Sequence, residues 1–412
     1  MTGDPIPVLL LAYHFPPDIA SGAARPHRFF KFLPEFGYQP QVITASEAAA
    51  GSSPFVTAIP AITRAATRKT LLGCTELAFR KTFFASDQAV LWAVSARRAI
   101  RRAMRKTRYR AIISTFPPVN THLAASWAAR RFDIPWIADY RDPISRNPFR
   151  ATTGLSAWTD STLERRYIQQ AAASIAVTDV ALDHWKQAFP EQVSKLHLIW
   201  NGFDPDDDIQ PGDSGLNSRR VLSHVGSFYG DRSPIPVLAS MKRLIQAGRL
   251  DPSTLIVRFI GLMDPRIQQQ DAGLLEWFRS QGLLYMSPGV VPREDANRET
   301  RAADYLLLVD IAGEKSYAVP AKIFEYVRIG RPILAYTDEG TPVDRILVKA
   351  GVPYRAFYRA DNAQTVDRKV IEFFQLPPEP SAPSEWFLDQ FDGRRQTGTL
   401  ARILDSALQR RS

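Results

Sequence analysis

The sequence predicts an α/β fold with two domains, each built around a parallel β-sheet. The chain has 412 residues, whereas one domain holds roughly 100–200. Short apolar runs recur along the chain with helical stretches between them. Most of these runs are continuous rather than alternating, which is typical of strands covered on both faces.

Twelve apolar runs are predicted strands, six on each side of an acidic segment. The first six are Val8–Tyr13, Gln41–Thr44, Ala111–Thr115, Pro135–Tyr140, Ser174–Thr178 and Leu196–Trp200. The other six are Val221–Val225, Leu255–Ile260, Leu283–Met286, Tyr305–Val309, Pro332–Tyr336 and Tyr354–Phe357. The segment between them, "FDPDDDIQPGDSGLNSRR" (203–220), has no apolar periodicity and is typical of a linker. We therefore place the first domain at 1–203 and the second at 204–385, followed by a separate helical stretch within 386–412.

Composition narrows the class of protein. Apolar residues make up 45% of the chain and charged residues 23%, as in globular proteins. The single cysteine, Cys74, excludes a disulfide framework or a cysteine-based zinc site and favours a reducing cytoplasm. No stretch reaches the roughly 20 apolar residues of a membrane-spanning helix. The start "MTGDPIPVLLLAY" reads as a first strand and not as a signal peptide.

The net charge of +10 is concentrated in one region. Between Arg64 and Arg110 there are thirteen Lys or Arg and two acids. At helical spacing, "ARRAIRRAMRKTRYR" (96–110) has a cationic face opposite Ala, Ile and Met. The face is formed by Arg97, Arg98, Arg101, Arg102 and Arg105. We expect it to contact an anionic membrane. The alternatives are a merely arginine-rich helix, or a nucleic-acid surface, for which no recognised motif is present.

Candidate sites follow from the sheet type, because ligands of open parallel sheets bind beyond the carboxyl ends of the strands. Five polar turns lie directly after predicted strands. They cover residues 18–25, 117–122, 139–142, 226–232 and 318–325.

Segments along nearly the whole chain resemble GT-B glycosyltransferases, specifically the large retaining family 4 that uses nucleotide-sugar donors. They occur in the order of the family. They are "LLLAYHFPPDIASGAARPHRFFKFLPEFGYQPQVITA", "IISTFPPVNTHLAASWAARRFDIPWIADYRDP", "LERRYIQQAAASIAVTD", "LHLIWNGFDP", "LSHVGSFYGDRSP" and "VPAKIFEYVRIGRPILA". The resemblance implies two Rossmann-like domains with parallel sheets facing across a cleft, a donor bound mainly by the second domain and an acceptor mainly by the first. It also implies that the last helix packs back on the first domain, and that transfer needs no metal or other cofactor.

In the first domain, Gly22 lies between strand and helix, where a glycine permits close approach of a ligand and a helix N-terminus favours anions. Arg25 adds a planar cation. We expect this turn to contact the donor diphosphate or the acceptor. It contains no Walker A lysine and no GxGxxG, which disfavours an ATPase or a dinucleotide enzyme.

In the second domain, Gly226 and Ser227 end a strand, and Arg232 follows. The resemblance implies that Arg232 serves the donor phosphates and that Ser227 replaces a family arginine. Pro320 marks a helix N-terminus suited to phosphate, with Lys322 near it. Glu325 matches the second glutamate of the family's E-x7-E pattern, which binds the ribose hydroxyls; Tyr317 replaces the first glutamate.

In "DYRDP", Arg141 and Asp142 follow a strand. Asp142 is a candidate to accept a proton from the acceptor hydroxyl or to orient a sugar hydroxyl, and many family members carry a histidine near this position. His122, after "PPVNT", is a second candidate catalytic residue. The alternatives are a salt bridge between Arg141 and Asp142, and a packing role for His122.

These features predict a retaining glycosyltransferase of hexosyltransferase type that acts in the cytoplasm, on the inner face of the membrane. The expected partners are a nucleotide-sugar donor, a lipid-linked or glycan acceptor of surface polysaccharide assembly, and an anionic membrane, but no nucleic acid. Two alternatives remain: a GT-B sugar-nucleotide epimerase, and a catalytically silent GT-B scaffold.

Overall fold

The computed structural model describes residues 4–18, 20, 22–60, 91–145, 153–212, 219–311 and 318–410. The chain divides into two compact units. The N-terminal unit comprises Met1–Asp204 and Asp392–Ser412, and the C-terminal unit comprises Pro205–Phe391.

The N-terminal unit contains a parallel sheet whose strand order is β3-β2-β1-β4-β5-β6-β7. Its strands are β1 (Ile6–Leu11), β2 (Tyr38–Thr44), β3 (Val56–Ala58), β4 (Ala111–Phe116), β5 (Trp136–Tyr140), β6 (Ala173–Ala176) and β7 (Leu196–Leu198). The helices described between them are α1 (Ala24–Phe32), α2 (Trp92–Lys106), α3 (Val119–Phe132), α4 (Gly154–Gln170) and α5 (Asp179–Ala188). The central strands β1 and β4 are almost wholly buried, which explains their continuous apolar sequences.

The C-terminal unit repeats this architecture with a parallel sheet in the order β10-β9-β8-β11-β12-β13. Its strands are β8 (Arg220–Val225), β9 (Leu255–Ile260), β10 (Leu284–Met286), β11 (Tyr305–Val309), β12 (Ile333–Thr337) and β13 (Tyr354–Tyr358). Its helices are α6 (Ile235–Gln246), α7 (Pro265–Gln270), α8 (Ala272–Ser280), α9 (Arg293–Arg301), α10 (Lys322–Ile329), α11 (Pro342–Lys349), α12 (Ala363–Phe374) and α13 (Glu385–Phe391).

Both strand orders are those of a Rossmann-type sheet, in which successive strands are added first toward one edge and then, from one switch point, toward the other edge. The switch point lies between β1 and β4 in the N-terminal unit, and between β8 and β11 in the C-terminal unit. Because ligands bind at such a switch point, the turns after these four strands are the first places to search for a site.

The predicted α/β fold with two parallel sheets is confirmed, and all twelve predicted strands are present. The prediction missed β3, an edge strand of three residues whose burial falls off along its length. That the two sheets face one another across a cleft stays a prediction.

The end of the second domain was predicted too early, at residue 385. The boundary lies between Phe391 and Asp392, because α13 packs within the C-terminal unit. Phe387 and Phe391 are fully buried, and the ring centroids of Phe324 and Phe391 are 4.9 Å apart.

The last helix, α14 (Gly393–Gln409), belongs to the N-terminal unit. The Asp392 carboxylate caps its first turn by accepting hydrogen bonds from the backbone N–H groups of Arg394 and Arg395, at 2.7 and 2.9 Å. Leu400 and Leu404 on its inner face share a hydrophobic core with β1.

The acidic segment 203–220, predicted to be a linker, makes specific contacts in its described part. Within its described part, the Arg331 guanidinium donates to the Gly212 carbonyl at 2.7 Å, and Arg328 donates to the Asp207 carbonyl at 3.0 Å. The first residues after Asp204 are thus fastened to the C-terminal unit.

Candidate functional site

The turn after β1 brings two of the predicted residues together. A side chain on Gly22 would collide with the Arg141 guanidinium, so glycine is what allows Arg141 to lie against this turn. Arg141 donates a side-chain hydrogen bond to the Pro117 carbonyl, in the turn after β4, while its buried Nε has no described partner. Asp142, half-buried beside it, favours the charged form of Arg141. Gly22, Arg141 and Asp142 therefore gather at the switch point of the N-terminal sheet.

Arg25 has a different position from the one predicted. Its side chain is 2% exposed, and two of its nitrogens donate to the fully buried Asp139 carboxylate, at 2.7 and 3.0 Å. A third nitrogen donates to the Trp200 carbonyl at 2.7 Å. These bonds use the whole guanidinium to join α1, β5 and the segment after β7. Arg25 is thus better explained as a structural ion pair than as a ligand for diphosphate.

His122 is also a core residue and not a catalytic one. It is fully buried, and its Nδ1 is 2.8 Å from the Ser114 hydroxyl. Its ring packs edge-on against Trp136, Tyr140 and Tyr167. Burial lowers the pKa of His122 to about 3, so the imidazole stays neutral. A side chain with no exposed surface has no route to a sugar hydroxyl.

Sequence reasoning missed Glu164, which holds the chain just after Asp142. This carboxylate is 1% exposed and accepts hydrogen bonds from the backbone N–H of Ile144 at 2.8 Å and from the Ser145 hydroxyl. Burial raises its pKa to about 7, against the opposing effect of these hydrogen bonds. The signal available in the sequence was an acidic residue in the segment "LERRY", at a position that the structure shows on the buried face of α4.

In the C-terminal unit, the turn after β8 is shaped around a lysine. Gly226 has a φ of 130°, which favours glycine, and a side chain built on it would lie 2.5 Å from Lys322 Nζ. Gly261, with a φ of 131°, packs directly against the Gly226 backbone from the turn after β9. Gly226 thus leaves room for the Lys322 amine at the end of β8, and Gly261 leaves room for the Gly226 backbone. Ser227 is half-buried in the same turn.

A buried histidine fixes the direction of that amine. His224 Nδ1 is 2.9 Å from the Leu307 carbonyl, so this nitrogen carries the proton. Its Nε2 is then an acceptor, 2.8 Å from Lys322 Nζ. Burial, together with the positive charge of Lys322, lowers the pKa of His224 well below its usual value. His224 is a second residue that sequence reasoning missed.

Lys322 and Arg232 form a pair of like charges. Arg232 is 7% exposed and donates to the Tyr229 hydroxyl. The pKa of the Lys322 amine is lowered to about 7, chiefly by burial and then by the charge of Arg232. The Glu325 carboxylate raises this pKa, but by less than Arg232 lowers it. Asp310, at the end of β11, is buried and feels the same Arg232, but burial raises its pKa to about 6. The site is therefore a partly desolvated, cationic turn.

The start of α10 completes the surroundings of Lys322. The helix begins at Lys322 itself, two residues after the predicted start. The carbonyls of Pro320 and Ala321 accept hydrogen bonds from the N–H groups of Ile323 and Phe324, three residues on, and so form a tighter turn that leads into the helix. Glu325 is half-buried in the first turn of the helix, and its charge acts on Lys322. Its role as a ribose ligand stays a prediction. Tyr317 lies outside the described residues.

The cationic helix is α2, and most of its predicted face is exposed. Arg98, Arg101, Arg102 and Arg105 are exposed, while Trp92, Ala96 and Ile100 are buried. Arg97 differs from the prediction, since it is half-buried and its guanidinium lies 5.7 Å from the Trp127 ring on α3. Among the described residues, no helix combines the length and apolar character needed to cross a membrane.

The described ranges hold no group of three or more His, Cys, Asp or Glu side chains that could bind a metal ion. That the reaction needs no metal stays a prediction.

Comparison with known proteins agrees with this architecture. Residues 22–207, a little under half of the chain, match the family model described as Glycosyltransferase Family 4. The comparison with curated proteins gives no significant match.

Several solved structures share the fold over almost the whole chain. Anabaena HepE in complex with UDP and glucose is 13% identical, with 97% of this chain and 100% of that one covered and a TM-score of 0.59. The catalytic domain of Arabidopsis thaliana starch synthase IV, bound to ADP and acarbose, is 11% identical, with 99% of each chain covered and a TM-score of 0.64. A putative UDP-N-acetylglucosamine 2-epimerase from Listeria monocytogenes is 9% identical, with 98% and 97% covered and a TM-score of 0.58. The chain has the fold of these structures, and its residues 22–207 are similar to Glycosyltransferase Family 4.

We expect Arg25→Met to destabilise the N-terminal unit, because it leaves the Asp139 carboxylate buried without its cation. The free energy of unfolding should fall by about 3–5 kcal/mol, and most of this loss should be recovered in Arg25→Met/Asp139→Leu. Denaturant unfolding measures both. Unchanged stability in Arg25→Met, together with lost donor binding, would contradict the structural role.

Proposed function

We propose that the protein transfers a sugar from a nucleoside-diphosphate sugar to an acceptor hydroxyl, with retention of the anomeric configuration. The acceptor in this proposal is a lipid-linked sugar or a glycan of surface polysaccharide assembly. The observation that carries the proposal is the cationic turn of the C-terminal unit, where Gly226 makes room for Lys322 beside Arg232.

A diphosphate is the ligand that this turn fits best. Burial, and then repulsion by the Arg232 guanidinium, lowers the pKa of the Lys322 amine, so the amine holds its proton weakly. An anion between or beside them would replace that repulsion with two charge-assisted hydrogen bonds. The positive end of the helix dipole at the start of α10 acts in the same direction.

Glu325 then takes the ribose. It follows Lys322 by one helical turn, and a carboxylate can accept hydrogen bonds from two vicinal hydroxyls. The structure of Anabaena HepE holds UDP and that of starch synthase IV holds ADP, which supports a nucleoside diphosphate and leaves the base open.

The N-terminal unit contributes the acceptor side in this proposal. Arg141, placed by Gly22 and by the Pro117 carbonyl, offers a fixed cation, and Asp142 offers a carboxylate for a sugar or acceptor hydroxyl. Glu164 holds the backbone that carries Asp142 and thus acts on its position.

Retention requires no protein nucleophile in the front-face mechanism. The bond from the anomeric carbon to the donor phosphate breaks, the acceptor oxygen bonds to the same face of that carbon, and the acceptor proton passes to the departing phosphate. The protein supplies positioning and stabilises the charge of the leaving diphosphate. Lys322 and Arg232 are the residues suited to that stabilisation.

An epimerase is the second candidate, since a putative UDP-N-acetylglucosamine 2-epimerase shares the fold. Such an enzyme would convert the donor sugar without forming a glycoside. A silent scaffold is the third, suggested by Tyr317 in place of the first family glutamate.

We further propose that α2 holds the protein at an anionic membrane surface. Its exposed face carries Arg98, Arg102 and Arg105, and each cation near such a surface contributes about 1 kcal/mol.

The donor is tested with a panel of UDP-, GDP- and ADP-sugars, by following nucleoside diphosphate release and ligand-induced thermal stabilisation. We expect the sugar nucleotides of one base to stabilise the protein and to release their nucleoside diphosphate. Lys322→Ala should weaken the binding of that sugar nucleotide about 10- to 100-fold, because a charge-assisted hydrogen bond is lost. Lys349→Ala, an exposed lysine of the same unit, is the matched control. If no sugar nucleotide of the panel is cleaved or stabilises the protein, the proposed function is contradicted. An epimerised donor sugar would indicate the second candidate.

Donor affinity should depend on pH through Lys322. Its pKa in the free protein is about 7, and a bound phosphate favours the protonated amine. Below that pH the amine is already charged and affinity is highest. Above it, binding must take up a proton, so affinity falls by up to about tenfold per pH unit. Lys322→Arg should remove this dependence, since its guanidinium stays charged. A level profile for the parent protein from about pH 6 to pH 9 would contradict the diphosphate contact.

Replacing Arg98, Arg102 and Arg105 by Gln should weaken binding to anionic vesicles by more than about tenfold at low salt. Donor affinity should not change. Gln at Arg165, Arg166 and Arg249, which are also exposed, removes the same charge elsewhere and is the control. If the α2 variant and its control bind vesicles equally well, the membrane proposal is contradicted.

A further inference from the structure

Two adjoining pockets open at the edge of the N-terminal sheet opposite to the candidate site. The first has a volume of about 520 Å³ and lies before β5, β6 and β7, where Ala172 and Lys195 directly precede the last two strands. The second, of about 450 Å³, lies before β4 and β5. They share Asp133 and Ile134. Gly22, Arg141 and Asp142 lie instead at the carboxyl ends of the strands. These two are the amino-edge pockets.

The amino-edge pockets are strongly cationic. Five of their lining residues are basic and one, Asp133, is acidic. The basic residues are Arg108, Arg110, Arg130, Lys195 and Arg410. Within the described part of the chain, none of the five forms an ion pair. Burial, and then the charge of Arg410, lowers the pKa of the nearby His197, so the positive potential reaches into β7.

Helix ends explain only part of this charge. Arg130 and Arg410 lie at the carboxyl ends of α3 and α14, where cations stabilise the helix dipole. Lys195 donates at 3.2 Å to the carbonyl of Gln169, in the last turn of α4, so it also lies at a helix end. Arg108 and Arg110 belong to no helix. Two cations of the pockets are thus not part of a helix end.

The pockets also offer contacts to an uncharged group. Met104, Phe132, Ile134 and Leu408 are half-buried in the second pocket, while its arginines stand exposed at the rim. In the first pocket, the Ser126 hydroxyl is fixed by a 2.7 Å hydrogen bond to Gln170. An apolar floor beneath a rim of guanidinium groups suits a ligand with both a phosphate and a less polar part.

We propose that the amino-edge pockets bind a phosphate-bearing ligand, at a site separate from the donor site. The ligand is either a soluble phosphorylated compound or the headgroup of an anionic phospholipid, since both present the same phosphate to the rim. The exposed Arg105 of α2 is close in sequence to Met104 and Arg108 of the second pocket, so a headgroup bound there would extend the cationic face of that helix.

The test uses pyrophosphate, measured by calorimetry at fixed ionic strength with the full chain carrying Lys322→Ala, so that the proposed donor site contributes least. Arg110→Gln/Arg130→Gln removes one guanidinium from each pocket. Arg165→Gln/Arg166→Gln, on the exposed side of α4, removes the same charge away from them. We expect the pocket variant to lose affinity by about tenfold or more and the control to retain it.

A second arm identifies the source of the phosphate. The same variants are tested on vesicles with and without phosphatidylglycerol and with glucose 6-phosphate in solution. Selective loss of phosphatidylglycerol binding supports a headgroup, and selective loss of pyrophosphate or sugar phosphate binding supports a soluble ligand. If the pocket variant and its control bind all of these alike, the pocket cations bind no phosphate group and the proposal is wrong.

Discussion

The repulsion between Lys322 and Arg232 is the interaction on which the functional account depends. Two cations in a poorly solvated turn are unfavourable in isolation, and a folded protein keeps such an arrangement only where other contacts hold it. Here the contacts are specific: His224 accepts a hydrogen bond from the Lys322 amine, while Gly226 leaves that amine space. The C-terminal unit thus presents two cationic side chains at the place where a Rossmann-type sheet binds its ligand. A nucleoside diphosphate is the ligand proposed for that charge.

In the N-terminal unit, the predicted polar residues differ in burial and in their partners. Arg25 and Asp139 neutralise one another inside the unit, and His122 is kept neutral among aromatic rings. Arg141 and Asp142, in contrast, are half-buried at the switch point, and Glu164 fixes the chain behind them. Polar residues that look equivalent in the sequence therefore divide into a structural group and a candidate functional group according to burial.

The fold could be predicted because continuous apolar runs identify buried parallel strands, and their alternation with helices identifies the sheet type. The short edge strand β3 carries too few buried residues for that signal. Sequence reasoning selected Gly226, Arg232 and Lys322 because they lie in turns that follow strands, and the structure brings them together. Their role in binding a donor stays a prediction. His224 was not selected, because a histidine inside a strand gives no indication of which backbone carbonyl it meets. Arg25 and His122 were misjudged for the same reason: their partners, Asp139 and the surrounding rings, are distant in sequence.

Basic side chains of the N-terminal unit form the exposed face of α2 and the rim of the amino-edge pockets. The central claim concerns the other unit and is tested most directly by a crystal structure with the preferred nucleoside diphosphate. The account predicts that its diphosphate accepts hydrogen bonds from Lys322 and Arg232 and that its ribose hydroxyls donate to Glu325. A nucleotide bound elsewhere, with the Lys322 amine still turned to His224 alone, would contradict it.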